Sequence, residues 1–139
     1  MCSSDLACTN LSYDQRKSLA DHQQNAALYY ERGLYGQAIA QVDKGLELDP
    51  DDYKLKSLKG AILLRSVGTG GTQDQKRLDE ATRILTEVYD ERSDARHEPH
   101  VLLNYGQVLQ KRGNRRIGRA IQLEGDATRQ ANEIGRAHV

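Results

Sequence analysis

An all-α chain of antiparallel helix pairs is predicted by three features of this sequence. Apolar residues recur at steps of three and four rather than two, Ala, Leu, Gln, Glu, Lys and Arg dominate while Pro occurs only twice, and one helix-turn-helix pattern returns along the chain. The 20 basic and 20 acidic side chains cancel, so net charge gives no reason to expect nucleic acid as a partner. Mean hydropathy is −0.75, and no apolar run approaches the ~20 residues that a membrane helix needs.

The elements follow in order. A first helix spans roughly Tyr13 to Arg32. Gly33 and Gly36 suit a tight turn before a second helix, whose apolar face is Tyr35, Ala38, Ile39, Val42 and Leu46. Pro50 stops that helix, and Asp51-Asp52 offer capping oxygens to the next. Small residues then mark a period: Gly60 lies 34 residues after Ala26, Gly106 lies 46 after Gly60, Ala81 lies 43 after Ala38, and Ala120 lies 39 after Ala81. The excess between Ala38 and Ala81 falls in Gly68-Thr69-Gly70-Gly71-Thr72-Gln73, read as a loop insertion. Leu78, Ala81, Leu85 and Val88 give a fourth helix, and Val101, Tyr105, Val108 and Leu109 a fifth. A sixth, with Ile117, Ala120 and Ile121, loses its stripe after Leu123, where Glu124, Gly125 and Asp126 intervene.

Asp21 to Asp52 resembles a tetratricopeptide repeat. The likeness rests on Ala26, Tyr29-Tyr30, Gly33, Tyr35, Ala38-Ile39 and the closing Leu46-Glu47-Leu48-Asp49-Pro50. It covers residues 19–128, with repeats at 19–52, 53–95 and 99–128 after a polar segment at 7–18, and it weakens downstream. The resemblance implies a short α-solenoid whose first helices line a concave groove for a protein or peptide. By repeat register that groove holds Gln23, Ala27, Tyr30, Ser57, Ala61, Leu64, Leu103, Gln107 and Gln110, with Tyr30 and Leu64 as its apolar floor and Lys54, Arg65 and Lys111 on its rim. The carboxylate clamp of co-chaperones in this family uses Lys, Asn, Asn, Lys and Arg. The equivalent places hold Gln23, Ala27, Leu58, His100 and Asn104, so that clamp is not expected. About three repeats are needed for a stable stack, so a three-repeat piece is expected to be marginal or to self-associate, with Leu123 and Ala127 exposed.

Both ends look foreign. GAG-ATC-GGA-AGA-GCA-CAC-GTC encodes the last seven residues, Glu133 to Val139, and its reverse complement reads Met1 to Leu6 when GTG serves as the start. One DNA word of the sequencing-adapter type therefore accounts for both, and residues 1–6 and 133–139 are set aside as scars, removing Cys2 and His138 from the candidate chemistry. Cys8 then stands alone. Its setting, Leu6-Ala7-Cys8-Thr9-Asn10, resembles the end of a bacterial lipoprotein signal, where a lipidated Cys anchors a polar domain to the membrane facing the periplasm. The alternatives are an ordinary thiol near a frayed end and a cytoplasmic adaptor or regulatory module cut from a longer chain.

No catalytic site, cofactor or metal is expected. His97-Glu98-Pro99-His100 places two imidazoles three apart around a Pro, where a zinc-binding helix needs four, and a polar linker capping the next helix explains it. Gly68 to Thr72 lacks the Lys-Ser/Thr ending of a phosphate loop. Ser, His and Asp occur at no nucleophile-base spacing. Lys111, Arg112, Arg115, Arg116 and Arg119 form a basic patch without interleaved aromatics, and Asp43, Glu47, Asp49, Asp51 and Asp52 an acidic one. Solvated helix faces and caps account for both. The sequence thus predicts an interaction scaffold without chemistry of its own.

Overall fold

Ser12 opens the first helix with a reciprocal cap: its Oγ accepts from the Gln15 N–H at 3.2 Å, and its own N–H donates to Gln15 Oε1 at 2.9 Å. The structure is a computed structural model describing residues 11–68, 71–91, 98–113 and 115–137, without the side chains of 115, 136 and 137. Cys8, His97 and the scar at 1–6 lie outside the described residues, as does Thr69-Gly70. Among the described residues there are six helices and no strand: α1 Tyr13–Glu31, α2 Tyr35–Leu48, α3 Tyr53–Arg65, α4 Thr72–Glu91, α5 Pro99–Lys111 and α6 Arg115–Ala137.

Capping chemistry sets the turns. Gly33 takes φ +75°, a conformation that a Cβ would strain, and the Leu34 and Gly33 N–H groups donate to Tyr29 O and Tyr30 O, closing α1 with two hydrogen bonds. Gly113, at φ +93°, ends α5 in the same way, its N–H donating to Gln110 O. Asp52 Oδ1 accepts from the Lys54 and Leu55 N–H groups and starts α3. Asp74, 5% exposed, folds back to take the Gly68 N–H at 3.2 Å, while Arg77 reaches Ser66 O, so the ends of the glycine-rich connection are tied at its base.

Consecutive helices pack as α1 on α2, α3 on α4 and α5 on α6, with α2 on α3 and α4 on α5 joining the pairs; α3 also touches α1 and α5. One core cluster gathers Ala26, Ala38, Val42, Leu55 and Ile62, and a second gathers Leu63, Leu64, Ala81, Ile84, Leu85 and Val108, with Ile39 packed against both. Val88 and Val101 close a third beside Tyr53. Polar ties span the joints between helices: Lys59 to Asp43 at 2.8 Å, Lys56 to Glu87 at 2.9 Å, and Arg112 to Asp79.

Several sequence expectations need correction. The first helix does begin at Tyr13 as expected, because Ser12 caps it, and its first turns fall in the polar segment at 7–18; other positions differ. Gly36 lies inside α2, and Thr72 and Gln73 inside α4. The stripe assigned to the last helix is displaced. Ile117 is 60% exposed and Ala120 is exposed, whereas Gly118 and Gly125 are buried. The reason is steric: a Cβ on Gly118 would stand 2.5 Å from Gly106 O, and one on Gly125 would stand 3.0 Å from Leu102 Cβ. The sixth helix packs through its glycines, and the helix runs on through Ala137, past the 128 boundary and into residues 133–137. Leu123 and Ala127 are exposed, as the resemblance implies.

Gly118→Ala is therefore expected to lose about 1–3 kcal/mol in urea denaturation despite its better helix propensity, because the obstructing atom is backbone. Gly135→Ala, with nothing within 4 Å of the added Cβ, is the control and should be neutral or stabilising by up to about 1 kcal/mol. Equal behaviour of the two would mean that α5 and α6 do not cross at Gly118.

Candidate binding cleft

The odd-numbered helices share a face that their partners leave uncovered. On α3, Lys54, Ser57, Leu58, Ala61 and Arg65 repeat at steps of three and four, so their side chains form one ridge along the helix. Gln23, Ala27 and Tyr30 of α1 flank it on one side, and His100, Leu103, Asn104 and Gln107 of α5 on the other. Together with Leu55 and with Gln122 of α6 they enclose a cleft of about 660 Å³.

Most of the residues expected in a groove meet here: Gln23, Ala27, Tyr30, Lys54, Ser57, Ala61, Arg65, Leu103 and Gln107 all line the cleft. Three do not. Leu64 is 1% exposed and belongs to the core with Leu85 and Val108, so it is not part of the apolar floor. It sits about 60° around α3 from Ala61, which turns its side chain into the interior of the helix stack. Gln110 and Lys111, one turn beyond Gln107, line an adjoining depression of about 560 Å³ with Gln107 and Arg119. Gln110 Nε2 donates to Gln122 Oε1 and joins α5 to α6.

Leu58, His100 and Asn104, named from sequence only as places where a carboxylate clamp fails, line the same cleft. Leu55 and Gln122 were not anticipated. Gln122 arrives because the bare crossing of Gly106 and Gly118 lets α6 lie close on α5; a Cβ on Gly106 would meet Gln122 Cγ at 2.6 Å. The small residues were legible, but the four-residue step from Gly118 to Gln122 carries no hydrophobic signal.

The cleft is electrostatically one-sided. Among the described residues no Asp or Glu lines it, and Lys54 and Arg65, at opposite ends of the α3 ridge, form no ion pair. Gln23 Nε2 is held by Asp52 Oδ2 at 2.5 Å, which fixes its carbonyl end for other donors. Ser57 is fully buried, and its Oγ has no hydrogen-bond partner among the described residues, although it stands in the cleft lining. An unsatisfied buried hydroxyl is costly unless something else completes it.

His100 follows Pro99 in the first turn of α5. Burial lowers its pKa from 6.5; Glu98, 3.9 Å away, works in the opposite direction, and Lys54 adds to the lowering. No group of three or more metal-ligating side chains occurs among the described residues. Nor is any described helix long and apolar enough to cross a membrane. Compared with protein-family models, curated proteins and solved structures, the chain matches none.

Two outcomes are expected. Ser57→Ala should stabilise the chain by about 0.5–1.5 kcal/mol in urea denaturation, since it removes a buried polar atom that has no partner; destabilisation would show that the hydroxyl is satisfied. For His100 the native state binds fewer protons than the unfolded chain, so its contribution to stability is present above the unfolded value of 6.5 and is lost as pH falls towards the lower native value. His100→Gln should therefore lose less stability than the parent between pH 7.5 and 5.0, and identical losses would assign the acid sensitivity elsewhere.

Proposed function

We propose that this chain is a protein-interaction scaffold, a short stack of tetratricopeptide-like helix pairs whose cleft receives an extended peptide or a partner helix. The observation that carries the reading is the composition of the cleft wall, which comes from α1, α3 and α5, the first helix of each pair, with only Gln122 from a second helix. The contacts of α3 with α1 and α5 support stacking of the pairs, as does the shared ending of α1 and α5 in Arg-Gly with the glycine at positive φ. A groove formed in advance costs little receptor ordering on binding. The reading includes no catalysis and no cofactor.

A random peptide library displayed against the chain tests it. Tyr30→Ala combined with Leu103→Ala should abolish capture of the selected peptides at a smaller stability cost than a core truncation, because both side chains are only partly buried, and a cooperative urea transition of the variant shows that it still folds. Leu103 accompanies Tyr30 in this test and Leu64 does not, since truncating the core residue Leu64 would cost about 2–5 kcal/mol by itself. Peptides retained by the double variant would remove the groove from the proposal.

A second reading has its own observation. Ile117 and Leu123 of α6 are 60% and 57% exposed, and Leu123 falls on one side of that helix together with Ala120, Ala127 and Ala131. This side suits self-association. Sedimentation velocity of the parent should show concentration-dependent association that Leu123→Lys with Ala127→Lys abolishes; a monomer at all concentrations would exclude it.

The proposed setting is the bacterial envelope, with anchoring through a lipid on Cys8, and it rests on residues 6–8 alone. Reading the source locus upstream of Leu6 decides it. An apolar signal ending before Cys8 supports export, and a coding frame continuing into other sequence supports the cytoplasmic adaptor.

A further inference from the structure

We infer that the cleft selects an acidic segment of a partner protein, held extended, with two carboxylates four residues apart and one apolar side chain midway between them. This rests on the groove reading above and adds the chemistry of the occupant.

Charge complementarity is the first ground. Lys54 and Arg65 lie in the lining without an ion pair among the described residues, and no acidic side chain shares the wall with them. Their positions differ by eleven residues along α3, a rise of about 16 Å. An extended peptide advances about 13 Å over four residues and presents positions i, i+2 and i+4 on one face. Lys and Arg side chains are long enough to close the remaining difference, so carboxylates at i and i+4 meet both cations from the same side. Odd spacings place the two carboxylates on opposite faces, and one of them faces away from α3.

The floor between the cations is the second ground. Ser57 and Ala61, the two smallest side chains on the ridge, leave room there, and Tyr30 and Leu103 stand on either side. An apolar residue at i+2 fits that position.

The test uses the 139-residue chain and a fluorescein-labelled octapeptide, acetylated and amidated so that no terminal carboxylate contributes. It carries Glu, Leu and Glu at alternate positions in a Gly/Ser background, and binding is read by anisotropy. Replacing either Glu with Gln, or moving the second Glu one residue along, should weaken binding by about fivefold or more, as loss of a charge-assisted hydrogen bond implies. Lys54→Gln and Arg65→Gln should each abolish the preference for Glu over Gln at one end only. Equal binding of the Glu and Gln peptides, with Leu103→Ala still abolishing it, would overturn the acidic segment and leave the groove intact. Failure of the octapeptide to bind at all would overturn it as well, and the displayed library then judges the groove separately.

Discussion

The structure depends on how closely two helices of a pair approach, and that distance is set at one small residue in the middle of each first helix. Ala26, Gly60 and Gly106 are all buried, and the space beyond them is already filled. A Cβ on Gly60 would stand 2.6 Å from Leu85 Cγ, and one on Gly106 would stand 2.6 Å from Gly118 O. A larger side chain at any of these places pushes the second helix outward, and the whole interior is packed against that second helix. Dispersion contacts weaken within an ångström of separation, so a small displacement there is felt through every layer.

Close pairing on one side of each first helix frees the other side. α3 shows this most clearly because it is surrounded: Leu55 and Ile62 face the first core, Leu63 and Leu64 the second, and only the ridge from Lys54 to Arg65 is left for the cleft. The same crowding explains Leu64. A residue at the margin of an exposed ridge joins whichever neighbour offers more contact, and between α4 and α5 an aliphatic side chain buries more surface than it does in the open cleft. Ser57 lies at the opposite margin. There the small hydroxyl is enclosed by helix packing without finding a donor or acceptor, a local cost that the fold carries at the place where the cleft is most confined.

What could be read from the sequence divides along the same physical line. Helix positions, the turn at Gly33, the cap at Asp52 and the small residues at 26, 60 and 106 were legible, because each leaves a residue type that periodicity or capping chemistry demands. The packing face of α6 was not. Its contact residues are Gly118 and Gly125, which carry no hydrophobicity, while Ile117 and Leu123 supply an apolar pattern that faces solvent. A search for apolar stripes therefore finds the packing face only through half-buried Ile121, and it misses Gln122, which that face brings to the cleft. Most of the cleft was legible, because register alone places side chains along α1, α3 and α5. Which of the marginal residues turns inward depends on neighbours far away in sequence.

Charge gives the last step. The chain is neutral overall, yet its acids and bases are not mixed evenly. Asp43, Asp79, Glu80 and Glu87 are engaged at joints between helices, where Lys56, Lys59 and Arg112 meet them. Asp52 is engaged at a helix start and on Gln23. These pairs hold α2, α3, α4 and α5 together on the α2 and α4 side of the stack, and among the described residues no carboxylate lines the cleft between α1, α3 and α5. A balanced sequence thus presents a cleft whose described lining carries two cations and no carboxylate. The imbalance arises from where the packing places each charge, and net charge averages it away. Lys54 and Arg65 stay exposed at the two ends of the cleft, so salt screens them like other surface charges, and their weight in choosing a partner comes from their spacing and from having no carboxylate beside them in the described lining.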